Sequence, residues 1–142
     1  LEINMADAVG SQTLFDGERQ AIMKFTNTSD GTGETNVVKV NPASLSASAA
    51  GGACDRVTIT KVTGLTHGME VQLKWKANTP VVIETIPQNN SYQQDFGKIG
   101  GLTNNAGTGV DGAITFTTLD ASAGDTYTVV LEMVKHYVNP LG

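Results

Sequence analysis

The chain has 142 residues, a length that fits one domain with a core of its own. Its 14 acidic residues outnumber its nine basic ones, and the net charge of −5 argues against nucleic-acid binding as a main role, because phosphate backbones repel an acidic chain. The single cysteine, Cys54, excludes an intramolecular disulfide, and no apolar stretch approaches the ~20 residues of a transmembrane helix.

The first part of the chain is predicted to lie outside the main domain. Residues 1–4 precede Met5-Ala6-Asp7, which has the form of a natural start, and are expected to be a cloning remnant. Residues 5–19 are predicted to form an extended N-terminal arm, with a short strand near Thr13–Phe15. The apolar side chains of this arm are spaced in a way that is difficult to bury in a β-domain, so we expect them to contact a partner: Met5, Val9, Leu14 and Phe15.

Residues 20–142 are predicted to form the main domain, and its first half alternates between strand and turn signals. Gln20–Asn27 and Asn36–Val40 predict strands on either side of a turn-rich loop, Thr28–Glu34. Ala43–Ala53 consists of small residues, and its glycines limit it to one helical turn at most.

The middle of the chain contains the clearest amphipathic strand. Residues 69–76 alternate apolar with polar side chains, and Trp75 lies on the apolar face, which indicates a core position. Asp55–Val62 predicts a strand before it, and the strongly apolar Val81–Ile86 predicts a strand that is covered on both sides.

Residues 87–111 are predicted to form a long irregular segment, because asparagine pairs and glycines recur through it. Long loops of this kind are usually functional or form interfaces. We therefore expect Asn90, Tyr92 and Phe96 to contact a partner, and Tyr92 is the one aromatic residue that fits a ligand-binding or partner-binding role.

The last two strands, Ala113–Thr118 and Thr126–Tyr137, are predicted to close the domain. In the second of them, alternate residues from Tyr127 to Met133 form one apolar face, and Val130 and Val134 make the other face partly apolar as well. This indicates a central strand, or one covered by a neighbouring subunit. Strand number and spacing together predict an all-β, single-domain antiparallel β-sandwich that is jelly-roll-like.

No pattern in the chain predicts catalysis, and we expect a protein that is not an enzyme and has no cofactor or metal. His67 and His136 are isolated from each other, and a GxSxG nucleophile elbow is absent from the sequence. Two loops, Asp30–Glu34 and Asp120–Asp125, place oxygen atoms as a calcium site would, but Asp and Gly are also ordinary turn residues.

Three segments resemble the Thr-rich, Gly-punctuated strands of capsid decoration (cement) proteins of tailed bacteriophages: Asp16–Glu34, Val57–Trp75 and Gly112–Tyr137. The resemblance implies a non-enzymatic virion protein on the capsid surface that bridges and stabilises capsid subunits. It also implies that the major capsid protein is its partner and that it forms a homo-oligomer, with a trimer favoured. No nucleic acid and no membrane are expected as partners.

Two other functions fit the same composition. A carbohydrate-binding or adhesion module, from a tail fibre or a secreted protein, would require exposed aromatic side chains. A different virion component, at the head–tail junction or in the baseplate, shares most of the expectations for a decoration protein.

Overall fold

The computed structural model describes residues 8–138 and is all-β within that range. It contains nine strands and two short 3-10 helices, which cover Pro42–Ser44 and Gly97–Ile99. The strands are β1 (Ala8–Asp16), β2 (Gln20–Thr28), β3 (Val37–Val40), β4 (Cys54–His67), β5 (Glu70–Trp75), β6 (Val81–Ile86), β7 (Ser91–Asp95), β8 (Ile114–Leu119) and β9 (Thr126–Tyr137).

The strands form two antiparallel sheets. The first sheet has five strands in the order β1-β2-β9-β4-β7, and the second has four in the order β3-β8-β5-β6. Between the two sheets lies a shared core, in which Phe116 of β8 makes edge-to-face contacts with Phe25 of β2 and Tyr127 of β9, with ring centroids 5.2 Å and 5.8 Å apart. The predicted all-β class is confirmed, and the arrangement of the sheets is sandwich-like.

Strand β9 lies at the centre of the larger sheet, between β2 and β4. Its alternation follows the sequence pattern, since Tyr127, Val129, Leu131 and Met133 are all buried. The prediction of a central strand is therefore confirmed. Strand β5 behaves in the same way, and the indole of Trp75 is 2% exposed, as expected for a core residue.

Three elements differ from the sequence expectations. Strand β6, predicted to be covered on both sides, is an edge strand of the smaller sheet, and its Val82 is 48% exposed. Strand β4 continues past Val62 to His67, because these residues pair with β9. Gly64 within this extension leaves room for Ile86 of β6, since a Cβ at Gly64 would lie 2.5 Å from the Cδ1 atom of Ile86. The segment predicted as irregular, residues 87–111, contains a further strand, β7, which pairs with Lys61–Leu65 of β4. The single helical turn allowed after Asn41 corresponds to the 3-10 helix Pro42–Ser44.

The described part of the predicted arm is an edge strand. Ala8–Asp16 pairs with β2 along its whole length instead of projecting from the domain. Met5 and the proposed remnant at residues 1–4 lie outside the described residues. Neither of the 3-10 helices in residues 8–138 has the length or the apolar character required to span a bilayer.

Candidate functional site

Strand β1 forms one open edge of the five-stranded sheet and exposes three large apolar side chains. Val9, Leu14 and Phe15 are 50%, 49% and 52% exposed. The pairing with β2 is regular from Ala8 to Thr13 and then shifts at a bulge between Thr13 and Phe15. The bulge changes the alternation, so Phe15 lies opposite Ile22, on the sheet face that points away from the core.

The smaller sheet leaves the core-side face of β1 uncovered. Ser11 and Thr13 share that face with Val9 and are likewise exposed, although β2 beside them has Phe25 fully buried. Val37, at the start of the edge strand β3, is also 38% exposed. β3 lies on the β1 side of the molecule, because its neighbour β8 packs Phe116 against Phe25 of β2.

A buried lysine holds the end of β1 against the domain. The Nζ atom of Lys135 donates hydrogen bonds to Asp16 Oδ1 (2.6 Å), to the carbonyl of Gly17 (2.8 Å) and to the carbonyl of Ser46 (2.9 Å). Ser46 in turn donates its backbone N–H to Asp16 Oδ2 at 2.8 Å. This cluster joins β1, the β1–β2 turn, the loop after the first 3-10 helix and β9.

The pKa values of the two charged groups reflect this pairing. Burial alone would raise the pKa of Asp16, but hydrogen bonds from Lys135 and Ser46 outweigh it and hold the pKa below its usual value. Burial alone would lower the pKa of Lys135, and the carboxylate of Asp16 and the hydroxyl of Tyr137 raise it above its usual value. Both side chains are therefore held in their charged forms.

The second predicted contact region lies at the opposite edge of the same sheet, along β7 and the turn after it. Asn90 is exposed, and its backbone exchanges hydrogen bonds with Thr66 at 2.9 Å and 3.2 Å. Tyr92 and Phe96 are half-buried and pack against the core. Burial and the carboxylate of Glu84 raise the pKa of Tyr92 to about 12.

The turn after β7 presents an exposed apolar residue that is not among the predicted contact residues. Ile99, at the end of the 3-10 helix Gly97–Ile99, is 74% exposed. The turn is fixed by the carbonyl of Phe96, which accepts hydrogen bonds from the N–H groups of Ile99 (3.1 Å) and Gly101 (2.9 Å). The sequence does contain a signal for the exposure of Ile99, since this isoleucine lies between Lys98 and two glycines and has no adjacent apolar residue to pack with.

A cleft of about 530 Å³ lies between the loop before β8 and the beginning of β4. Its lining includes Arg56, Asn104, Val110 and Asp111. The carboxylate of Asp111 pairs with Lys76 at 3.0 Å, and this hydrogen bond, together with the N–H of Ala113, lowers the pKa of Asp111. The lining of the cleft is mixed, with polar and apolar surface in similar amounts, and its residues do not pair a nucleophile with an adjacent base.

The two loops considered for calcium are neighbours, and their oxygens serve the fold. The N–H of Ser29 donates to the carbonyl of Asp125 at 2.7 Å. Glu34 is paired with Lys39 at 2.5 Å and accepts a hydrogen bond from Tyr127 at 2.6 Å. Within residues 8–138, no three His, Cys, Asp or Glu side chains come together as a metal ion would require.

The two histidines and the cysteine lie in three different environments. His136 shares a 2.7 Å hydrogen bond with Thr58, and burial lowers its pKa. His67 is exposed at the end of β4. Cys54 is buried, and burial raises the pKa of its thiol, as expected for a small core residue.

Comparisons with family models, with curated proteins and with solved structures find no match for this chain.

Proposed function

We propose that the chain is a non-enzymatic virion protein that decorates a phage capsid and stabilises it by bridging neighbouring subunits. In this proposal its place is the capsid surface, and its partners are the major capsid protein and further copies of itself. The phage assignment rests on the resemblance of the three strand-rich segments. The bridging role rests on the positions of the exposed edges in the sheet.

The order of strand pairing supports a jelly roll, a fold that viral capsid domains use. The eight strands after β1 pair as nested couples, β2 with β9, β3 with β8, β4 with β7 and β5 with β6. A long hairpin that wraps around a core produces this order of couples. We therefore propose a jelly roll to which β1 adds a ninth strand at one edge.

The observation that carries the bridging role is the separation of the two candidate contact surfaces. The exposed residues of β1 and those of the β7 turn occupy opposite edges of one five-stranded sheet. A domain with association surfaces on opposite sides is able to hold two neighbours at once. Many copies, each with modest contacts, then stabilise a shell by avidity.

Cosedimentation with capsids tests this proposal. The probe is the expanded capsid of the phage that encodes the chain, prepared from a lysate that lacks it. We expect the wild-type chain to sediment with the capsid and Ile99→Asp to bind more weakly, because a charge replaces the most exposed apolar side chain of the β7 edge.

The matched control is Val82→Asp, which alters an exposed apolar residue of β6, in the other sheet. Equal capsid binding by the wild type, Ile99→Asp and Val82→Asp would remove the β7 edge from the proposal. A chain that fails to sediment with capsids, and that immunogold labelling locates at the tail or baseplate, would instead support the other virion roles.

A carbohydrate-binding role is the second candidate, and the cleft lined by Arg56 and Asn104 is the observation in its favour. The aromatic residues give it little support, since Trp75 and Tyr127 are buried and Tyr92 is half-buried. A glycan array, read with and without a chelator, tests this role. Binding that Arg56→Ala abolishes would favour it over decoration.

A further inference from the structure

We propose that β1 pairs with β1 of a second copy of the chain, antiparallel and around a two-fold axis near Ser11. The two five-stranded sheets would then join into one continuous sheet. This inference deepens the proposed function, because it assigns one of the two association surfaces to self-pairing and leaves the β7 edge for the capsid.

Of the four edge strands that the structure describes, β1 is the longest and the least protected. It has nine residues, whereas β3, β6 and β7 have four, six and five. Each of those three carries a charged residue, Lys39, Glu84 or Asp95, and charge on an edge opposes pairing. β1 also ends in a charged residue, Asp16, but its carboxylate is paired with Lys135, and residues 8–15 contain neither a charge nor a proline.

Charge favours a second copy as the occupant of this edge. The chain carries a net charge of −5, so two copies repel each other overall. Residues 8–15 avoid this repulsion because they are uncharged. The same stretch offers no ionic partner to an acidic or basic peptide and imposes no electrostatic cost on self-pairing.

Strand direction also distinguishes between the possible pairings. Because every neighbouring pair in the sheet is antiparallel, β1 and β7 run in the same direction. Joining β1 of one copy to β7 of the next, head to tail, would therefore make a parallel pair. A two-fold axis joins β1 to β1 as an antiparallel pair, which is the more stable of the two per residue.

The bulge in β1 limits where the axis passes. Residues that face each other across the axis must point to the same side of the sheet. An axis at Gln12 would place Val9 opposite Phe15, and the bulge puts these two side chains on different faces. An axis at Ser11 keeps the pairing within the regular stretch, with Val9 opposite Thr13 and Ser11 opposite its own copy.

Self-pairing would also cover the exposed face of β1. The side chains of Val9 and Thr13, which the smaller sheet leaves uncovered, would each gain a β-branched neighbour across the new strand pair. Both copies of Ile99 would remain at the far ends of the joined sheet, because β7 is the opposite edge. The dimer is therefore a bivalent bridge.

Sedimentation of the full chain across a wide concentration range tests the pairing. We expect a dimer for the wild type and a dissociation constant about tenfold higher for Ser11→Lys, because the two lysines would meet as like charges at the axis. The matched control is Gln93→Lys, an exposed position on β7, which we expect to leave the dimer intact. Circular dichroism checks that both variants remain folded.

Cysteine cross-linking tests the position of the axis. Ser11→Cys places two thiols on facing residues, whose Cα atoms are about 4.5–5.5 Å apart in an antiparallel pair, within the range of a disulfide. We expect a covalent dimer under mild oxidation from Ser11→Cys and none from Gln93→Cys. A native dimer in which Ser11→Cys does not cross-link would overturn the register.

A wild-type chain that is monomeric at all concentrations, or a trimer that Ser11→Lys leaves unchanged, would overturn the pairing. The two proposals fail separately. A monomer that binds capsids refutes self-pairing alone, and a dimer that does not bind capsids refutes the decoration role alone.

Discussion

At the scale of single residues, the buried ammonium group of Lys135 has the largest structural role that the sequence did not reveal. It follows Met133 on the core-facing side of β9, and its side chain is 0% exposed. A lysine in an alternating strand normally indicates a solvated face. Here the ammonium group lies at the end of the core, where Asp16 and the carbonyls of Gly17 and Ser46 surround it.

We expect Lys135→Met to lower the free energy of unfolding by about 3 kcal/mol, since it leaves a largely buried carboxylate and two carbonyls without their donor. The measurement is urea unfolding. The matched control is Lys76→Met, which breaks the exposed pair with Asp111 and should cost less than about 1 kcal/mol. Equal losses in the two variants would contradict a special role for Lys135.

The same cluster predicts an acid dependence of stability. The folded-state pKa of Asp16 is lowered, so at moderately acidic pH the unfolded chain binds more protons than the folded one. The contribution of Asp16 is therefore present above the ordinary aspartate pKa and is lost as pH falls through the folded-state pKa. We expect Asp16→Asn to be less stable at neutral pH and to show a shallower loss of stability as the pH falls below about 5. An unchanged acid slope in urea unfolding would contradict this.

Tyr92 predicts a dependence of stability in the alkaline range. Its pKa in the folded state is raised to about 12 by burial and by Glu84, so the unfolded chain loses the phenolic proton first. The contribution of Tyr92 is present below the ordinary tyrosine pKa and is lost as pH rises toward the folded-state value. We expect Tyr92→Phe to flatten the alkaline loss of stability in urea unfolding, and a curve that coincides with the wild type would count against it.

At the scale of elements, Gly64 of β4 is a point of close contact between the two sheets. The space that a side chain at Gly64 would fill is occupied by Ile86 of β6, which is fully buried. We expect Gly64→Ala to cost about 1–3 kcal/mol in urea unfolding, because a Cβ would lie 2.5 Å from the Ile86 Cδ1 atom. The double variant Gly64→Ala with Ile86→Val should lose less than the sum of the two single variants. Additive losses of stability would show that the side chains at positions 64 and 86 do not compete for the same space.

The elements that the sequence predicted are those whose side chains alternate against a core. β5 and β9 have strict alternation, and both were predicted because burial on one face leaves a period of two in the sequence. β7 reads Ser-Tyr-Gln-Gln-Asp and has almost no apolar signal. It becomes a strand because Lys61–Leu65 of β4 offers it unpaired backbone groups, and single-sequence periodicity does not record such non-local pairing.

The sequence predicted the exposure of the candidate contact residues only in part. Val9, Leu14 and Phe15 were selected because their spacing does not suit a core, and all three are about half exposed. Tyr92 and Phe96 were selected for lying in a long polar segment, yet β4 and the 3-10 turn draw them partly into the core. The neighbours that bury them are distant in the sequence, so their half-burial was not visible there.

At the scale of the whole molecule, the nested pairing of strands joins parts of the chain that are far apart in sequence. β2 and β9 pair between Gln20 and Val134, and β3 and β8 pair between Val37 and Phe116. The couple β2 and β9 encloses all the other couples in the sequence. The chain must therefore close its longest loop before β9 can take its place at the centre of the larger sheet. This arrangement gives a high contact order.

We therefore expect slow folding, with the main phase on the order of milliseconds to seconds, as is usual for sandwiches dominated by non-local pairing. Trp75 is the single tryptophan and is 2% exposed in the folded state, so its fluorescence reports core formation directly. Stopped-flow refolding from urea measures the rate. Deleting residues 126–142 removes β9 and should abolish the cooperative transition, whereas Ser11→Lys at the free edge should leave the folding rate within a factor of about two. Refolding in microseconds, or a cooperative transition without β9, would contradict the nested order of assembly.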